Sequence, residues 1–336
     1  MHEQRRRTAS TTLTSSERSS GRWTLSLAGF CLLALTGHPA AASTASVPTP
    51  DERVSLTGSD IERHERAAEQ EVVLITGSTS GLGREVALRL AATGAYVIVH
   101  GRNHERGMEV VREIEEAAMG AASFHAADLA SLEEVREFAG TILAEYDRLD
   151  VLINNAGIGS AGDGRQVSED GHELVFQVNY LSHFLLTHEL LPLIVDSAPA
   201  RIVNVASGAQ TAINFDDVML EEEDAIGRAY AQSKLAQILH AFDLAEELEG
   251  TGIIVNALHP ATFMDTRMVR RAGVEPRSTV EEGAEAVMQI VLEPVESGQY
   301  FNGLKATRAH DQAYDREARA RLRDLSRELV GLDPVR

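Results

Sequence analysis

Tyr230 and Lys234 stand four residues apart in "AYAQSKLAQ" (229–237), and Lys234 is one of only two lysines among 31 basic side chains; the other is Lys305. At i and i+4 on a helix the pair shares one face. A phenol ordinarily titrates near ~10, so at neutral pH it is a poor base. A cation beside it favours phenolate and lowers that pKa, which makes the tyrosine an effective proton donor or acceptor. A compact ammonium on a flexible stem can serve the tyrosine and also donate to vicinal hydroxyls. A guanidinium is bulkier and presents its donors in a fixed fork. Tyr–Lys pairs are also common on ordinary helix surfaces, so the weight of this one depends on its surroundings.

A second constellation lies far upstream. "TGSTSGLG" (76–83) carries Thr76, Gly77, Ser80, Gly81, Leu82 and Gly83 between an apolar run and a stretch with helical spacing. Glycines there let the backbone approach a pyrophosphate, and the helix N-terminus offers N–H groups and a positive dipole end. The spacing is G-x-x-x-G-x-G, unlike the G-x-G-x-x-G of two-domain dehydrogenases. Tight turns use glycine for other reasons too, so the position after the first strand matters more than the glycines themselves.

The elements that must position these groups follow from the hydropathy pattern. Apolar runs at 72–76, 95–100, "ASFHAADL" (122–129), 150–157, 201–207, 252–260 and "GQYFNG" (298–303) read as strands. Helical patterns fall between them, including 172–194, 228–249, "TVEEGAEAVMQIVLE" (279–293) and an Arg/Glu-rich terminal stretch at 311–330. Strands alternate with helices, and most strands are apolar on both faces. The expected fold is α/β: a doubly wound parallel sheet of the Rossmann type in a single domain over 70–336. Ligands of such sheets bind beyond the carboxyl ends of the strands.

Composition narrows the partners. Net charge is −20 with 43% hydrophobic residues, which argues against nucleic acid and anionic membrane surfaces. The sole cysteine, Cys31, lies outside the main domain, and no histidine pair has ligand spacing, so no metal site is expected. His183 and His188 are read as structural or exposed. Residues 1–42 hold Arg5, Arg6 and Arg7, the apolar run 23–35 and "AAA" at 40–42, the pattern of a signal-like or anchoring segment, with an intact cytoplasmic chain as the alternative. Residues 43–69 read as a linker.

Taken in order, "TGSTSGLG", "ADL" (127–129), "NNAG" (154–157), Asn179 in "FQVNYLSHF", Ser207 in "IVNVAS", "YAQSK" (230–234) and "NALHP" (256–260) make the chain from 71 to about 303 resemble the short-chain dehydrogenase/reductase superfamily. "RIVNVAS", the long insert before Tyr230 and "LAQILHAFDLAEEL" are similar to its retinol-dehydrogenase-like branch. The resemblance implies a catalytic set of Ser207, Tyr230, Lys234 and Asn179. Ser207 would orient the substrate oxygen, Tyr230 would move its proton, and Asn179 would hold a relay water behind the lysine or brace two helices. It implies cofactor contacts from Thr76, Gly77, Ser80, Gly81, Leu82, Gly83, Arg102, Asp128, Leu129, Asn154, Ala156, Gly157, Tyr230, Lys234, Pro260 and Thr262, with Asn155 structural.

Three departures from the family pattern stand out. Ser207 lies 23 residues before Tyr230, Ala261 replaces the usual Gly after Pro260, and Thr266 falls one place late, leaving open which threonine meets the cofactor. Gly101 stands where NAD-preferring relatives carry an acid, and Arg102 follows, so NADP(H) is expected over NAD(H). Residues 262–279, with Met264, Met268 and Val269, read as a substrate-covering lid for a lipophilic alcohol or carbonyl; plain packing is the alternative. The resemblance implies pairing of copies through the helices matching 172–194 and 228–249 into a homo-oligomer, a dimer or tetramer. The competing function is a cofactor-binding regulatory protein that has lost turnover.

Overall fold

The computed structural model describes residues 70–117, 120–159, 164–222 and 227–333. The signal-like segment 1–42 and the linker 43–69 lie outside the described residues.

The first half of the chain alternates β1 (Val72–Ile75), α1 (Gly81–Ala92), β2 (Tyr96–Gly101), α2 (His104–Glu116), β3 (Ala121–Ala126), α3 (Leu132–Glu145) and β4 (Val151–Asn154). A helical run follows: α4 (Leu174–Phe176), a π-turn (Gln177–Leu181) and α5 (Ser182–Asp196). Then come β5 (Ala200–Val205), α6 (Arg228–Glu247), β6 (Ile253–His259), α7 (Arg267–Arg271), α8 (Val280–Leu292), β7 (Tyr300–Asn302), β8 (Lys305–Thr307) and α9 (Arg316–Leu329). The strands form one sheet in the order β3-β2-β1-β4-β5-β6-β7-β8. All pairings are parallel except β7 with β8. The order reverses between β1 and β4, which sets the switch point at their carboxyl ends.

Two cores cover the two faces. Val72, Leu74 and Leu152 point to the layer of α3, α5, α6 and α9, while Val73, Ile75 and Ile153 point to the layer of α1, α2 and α8. This alternation is the period of two read through strands that are apolar on both faces. The sequence pattern lacks β8, whose three residues are all exposed. It also reads 172–194 as one uniform helix, where the structure has a π-turn in its first part. Helix α9 lies on α6 through polar pairs: Arg319 to Glu246 at 2.6 Å and Arg323 to Asp243 at 3.0 Å. On the π-turn, Tyr180 reaches Ser326 of α9 at 2.7 Å.

Candidate active site

The turn after β1 is held by buried polar side chains. The Thr76 hydroxyl accepts from the N–H groups of Asn155 (2.9 Å) and Ala156 (3.0 Å) and lies 2.9 Å from Nε2 of His183. The His183 Nδ1 lies 2.9 Å from the Asn179 carbonyl. One tautomer satisfies everything: Nδ1–H donates to Asn179, and Nε2 accepts the Thr76 hydroxyl. Burial drives the His183 pKa down to about 3, which keeps the ring neutral for that role. Thr76 is therefore an internal brace that shapes the loop after β4. A second buried histidine acts on the same turn. Gly77 N–H donates to His100 Nδ1 at 3.1 Å, and burial lowers the His100 pKa to about 4. The sequence reading of His183 as structural or exposed resolves to structural and buried; His100, at the end of an apolar strand, draws no notice in the sequence.

Glycine is obligatory at two points. Gly77 has φ +66°, and a methyl group there would lie 2.8 Å from Cα of Ala156. At Gly83 a methyl would lie 2.5 Å from the Asn155 amide nitrogen and 2.6 Å from the Gly77 carbonyl. Asn155 in turn donates to the Thr76 carbonyl at 2.8 Å, a structural role as the resemblance implies. The open side of the turn, at Gly81, faces Thr266; a methyl group added to Gly81 would lie 3.5 Å from its Cγ2. Ser80 is exposed and makes no side-chain cap bond, and the first turn of α1 holds no acid. An anionic pyrophosphate fits such an end, because free N–H groups and a positive dipole meet no competing carboxylate. Leu82 is buried against α8, so only its backbone is available to a ligand.

At the end of β2, a methyl on Gly101 would lie 2.7 Å from Cγ2 of Thr79, so an acidic side chain finds no room there as the turn stands. Arg102 is exposed and pairs with Asp128 at 3.2 Å. Asp128 also accepts the N–H of Ala130, while Ser131 caps α3. Leu129 is buried, and its carbonyl accepts the Ser182 hydroxyl.

Asn154 departs from its expected place. Its side chain is wholly buried and donates to Thr187 (3.0 Å) and to Asn204 (2.9 Å), so it cannot present its amide to a cofactor. The cause is strand alternation: at the last position of β4 this side chain points into the sheet layer, where Asn204 is its registered neighbour on β5. Next along, Ala156 packs against Gly77, and Gly157 lies beside Asn179 and Lys234. A methyl on Gly157 would lie 3.3 Å from Asn179 Oδ1 and 3.6 Å from Lys234 Nζ.

Ser207 follows β5 and is buried, with its Oγ accepting Ala209 N–H at 3.1 Å. Its side chain acts on the Tyr230 phenol, favouring the ionised form. The long insert before Tyr230 thus leaves the pair together. Lys234 Nζ lies 5.8 Å from the centroid of the Tyr230 ring and donates to the Val205 carbonyl and to Gln237 Oε1, each at 2.8 Å. Asn179, on the π-turn, accepts from Ile158 N–H (2.8 Å) and donates to Ile158 O (3.1 Å) and to Ser233 Oγ (3.0 Å). Its side chain links the loop at Ile158 to Ser233 of α6. The electrostatics differ from expectation. Burial raises the Tyr230 phenol above its ordinary value, against the smaller lowering effect of Ser207. Burial likewise disfavours the charged form of Lys234, lowering it to about 7.

Across the mouth, Pro260 is buried and Thr262 is exposed, with its hydroxyl 3.0 Å from His259 Nε2. Thr266 caps α7 and is the threonine that adjoins the glycine turn. Met264 is packed against Gly283 of α8, whereas Met268 is exposed and lies over Gly159. Met264 is thus plain packing, while Met268 stays exposed beside Gly159.

A parallel sheet whose switch point carries this glycine turn, with Ser207, Tyr230 and Lys234 gathered beyond β5, defines a dinucleotide-dependent oxidoreductase class. The chain belongs to the short chain dehydrogenase family, whose profile matches residues 71–276. Within it the chain is retinol-dehydrogenase-like. It is 40% identical to human retinol dehydrogenase 14 over 292 residues, covering 77% of this chain and 86% of that protein. With human retinol dehydrogenase 13 it shares 36% identity, covering 78% and 85%. Among solved structures, the Pseudomonas aeruginosa RhlG/NADP active-site complex is similar at 29% identity, covering 69% of this chain and 94% of that one, with a TM-score of 0.56. Salutaridine reductase from Papaver somniferum, at 23% identity and a TM-score of 0.56, shares the fold.

Proposed function

We propose that this chain reduces or oxidises a lipophilic carbonyl or alcohol with NADP(H). The observation that carries the reading is the gathering of buried Ser207, half-buried Tyr230 and the buried Lys234 ammonium, 5.8 Å from the Tyr230 ring, beside the glycine cradle. Two neighbouring hydroxyls can clamp one substrate oxygen. Burial keeps the Tyr230 phenol protonated, so it is ready as the acid. When NADPH is bound, it supplies the hydride that the carbonyl carbon gains. The oxygen takes the Tyr230 proton, and the phenolate left behind is stabilised by the nearby ammonium and recovers its proton from solvent. The oxidation of an alcohol runs the same steps backwards.

The choice of NADP(H) rests on Gly101, which leaves no room for a ribose-binding acid, and on Arg102. That guanidinium is exposed and exchanges one anionic partner, Asp128, for the 2′-phosphate. RhlG, similar in fold and sequence, is complexed with NADP. The lipophilic substrate is supported by Phe263, Met268 and Leu304, which expose apolar surface in the segments around Thr262 and Gly303, and by the retinol dehydrogenase relatives. The test is NADPH oxidation with retinoids, steroids, long-chain aldehydes and small hydrophilic ketones. Turnover that rises with substrate chain length supports the reading. Tight NADPH binding with no turnover on any of them sinks it in favour of a binding protein.

A further inference from the structure

Lys234 is buried, and the charged form of a buried ammonium needs partners. Its surroundings offer few. On its own helix the titratable neighbour is Tyr230, and from α5 it is His183, whose neutral ring feels the lysine charge. Tyr180 on the π-turn faces α9 instead. The stretches 154–159 and 202–208 contain no acidic or basic side chain. The two acceptors are the Val205 carbonyl and Gln237 Oε1.

Gln237 is itself an odd resident. It is 1% exposed, one helical turn after Lys234, and its Nε2 has no partner among the described residues. An ammonium has donors only, so the amide must turn its oxygen to Lys234 and leave its nitrogen unpaired. Leaving a buried donor unmet is costly, and an apolar residue at 237 would avoid that cost. A polar ladder also fixes that turn of the helix. Thr187 accepts from Asn154, Asn154 donates to Asn204, and Asn204 donates to the Gln237 carbonyl at 3.0 Å.

We propose that Gln237 is a positioning residue that holds the Lys234 ammonium in its charged form and in its place behind Tyr230. The inference rests on the reading of Lys234 as the partner of Tyr230, but it is tested without turnover. The chain has two lysines, so protein grown on lysine labelled with carbon-13 at Cε gives two resonances, with exposed Lys305 as the internal reference.

Gln237→Met keeps the length and removes the acceptor; Gln237→Glu keeps the shape and adds a charge. The Lys234 resonance, titrating near 7 in the parent protein, moves down by about one pH unit in Gln237→Met and up by at least about one in Gln237→Glu. The Lys305 resonance stays put in both. Where turnover is present, its alkaline limb follows the same two directions, because activity is lost as Lys234 gives up its proton. If the Met variant is unstable, the Glu variant alone decides the sign. A Lys234 titration unmoved by the substitutions overturns the proposal. Opposite shifts in a protein with no turnover leave the proposal standing and sink the catalytic reading instead.

Discussion

Around β1 and α1, the site consists of backbone: two glycines that tolerate no side chain, an uncapped helix end and a first turn without acids. Around β5 and α6 it consists of side chains: Ser207, Tyr230 and Lys234, with Gln237 and Asn179 bracing them. The helix ends sharpen the contrast. α8, which packs on α1, closes its own N-terminus with the Thr279–Glu282 capping box and acids in its first turn. α3 does so with Ser131, Glu133 and Glu134. Evidently the sequence can cap a helix, and at α1 it does not. The two regions should therefore fail differently: the first when atoms are added, the second when particular atoms are removed.

The largest effect is expected from Tyr230→Phe. It removes the transferable proton and little volume, so kcat should fall about a thousandfold, ~4 kcal/mol in barrier, while NADPH fluorescence titration gives an unchanged Kd. A parallel loss of NADPH binding would erase the distinction between the regions. Next comes Gly83→Ala. Its methyl must displace Asn155 or the Gly77 carbonyl, at a cost of about 1–3 kcal/mol, so Tm should drop and NADPH binding weaken together.

Lys234→Arg should lower turnover by about tenfold or more, ~1.4 kcal/mol, because a planar fork cannot occupy the ammonium's site between Val205, Gln237 and Tyr230. A fully active variant would mean that this arginine-rich chain uses lysine there by accident. The smallest effect belongs to Arg102→Ala. Exposed and already paired with Asp128, Arg102 should change the KM for NADPH by about fivefold and leave that for NADH as it was. Equal change with both cofactors would move Arg102 from the cradle to the general surface.

How much of this was legible depends on whether a residue's role is local. Seven of the strands, the glycine turn and the Tyr230–Lys234 pair are local patterns, and the structure places them where periodicity and spacing put them. The 23-residue gap to Ser207 is crossed only by folding, and here only the resemblance pointed the way. Asn154 shows the limit most clearly. Its motif position suits a groove, but the phase of β4 turns its amide inward to Asn204, and no spacing rule fixes that phase. His100 and His183 act through partners 23 and 107 residues away, distances at which sequence carries no hydrogen-bond signal. Tyr230 was expected to be acidified by its neighbour, yet burial acts on both groups and wins. β8 escaped because three exposed residues have no hydrophobic period to read.

That same strand has a consequence for association between molecules. A parallel sheet ended by a bare strand would offer its unpaired N–H and C=O groups to any extended chain, including a copy of itself. β7 is instead covered by β8, which turns back antiparallel, spans only Lys305–Thr307 and keeps all three residues in water. A strand added to this edge would find three residues to pair with and a hydrated ammonium among them. The second of the chain's two lysines thus stands where a compact, strongly hydrated charge resists sheet-to-sheet aggregation.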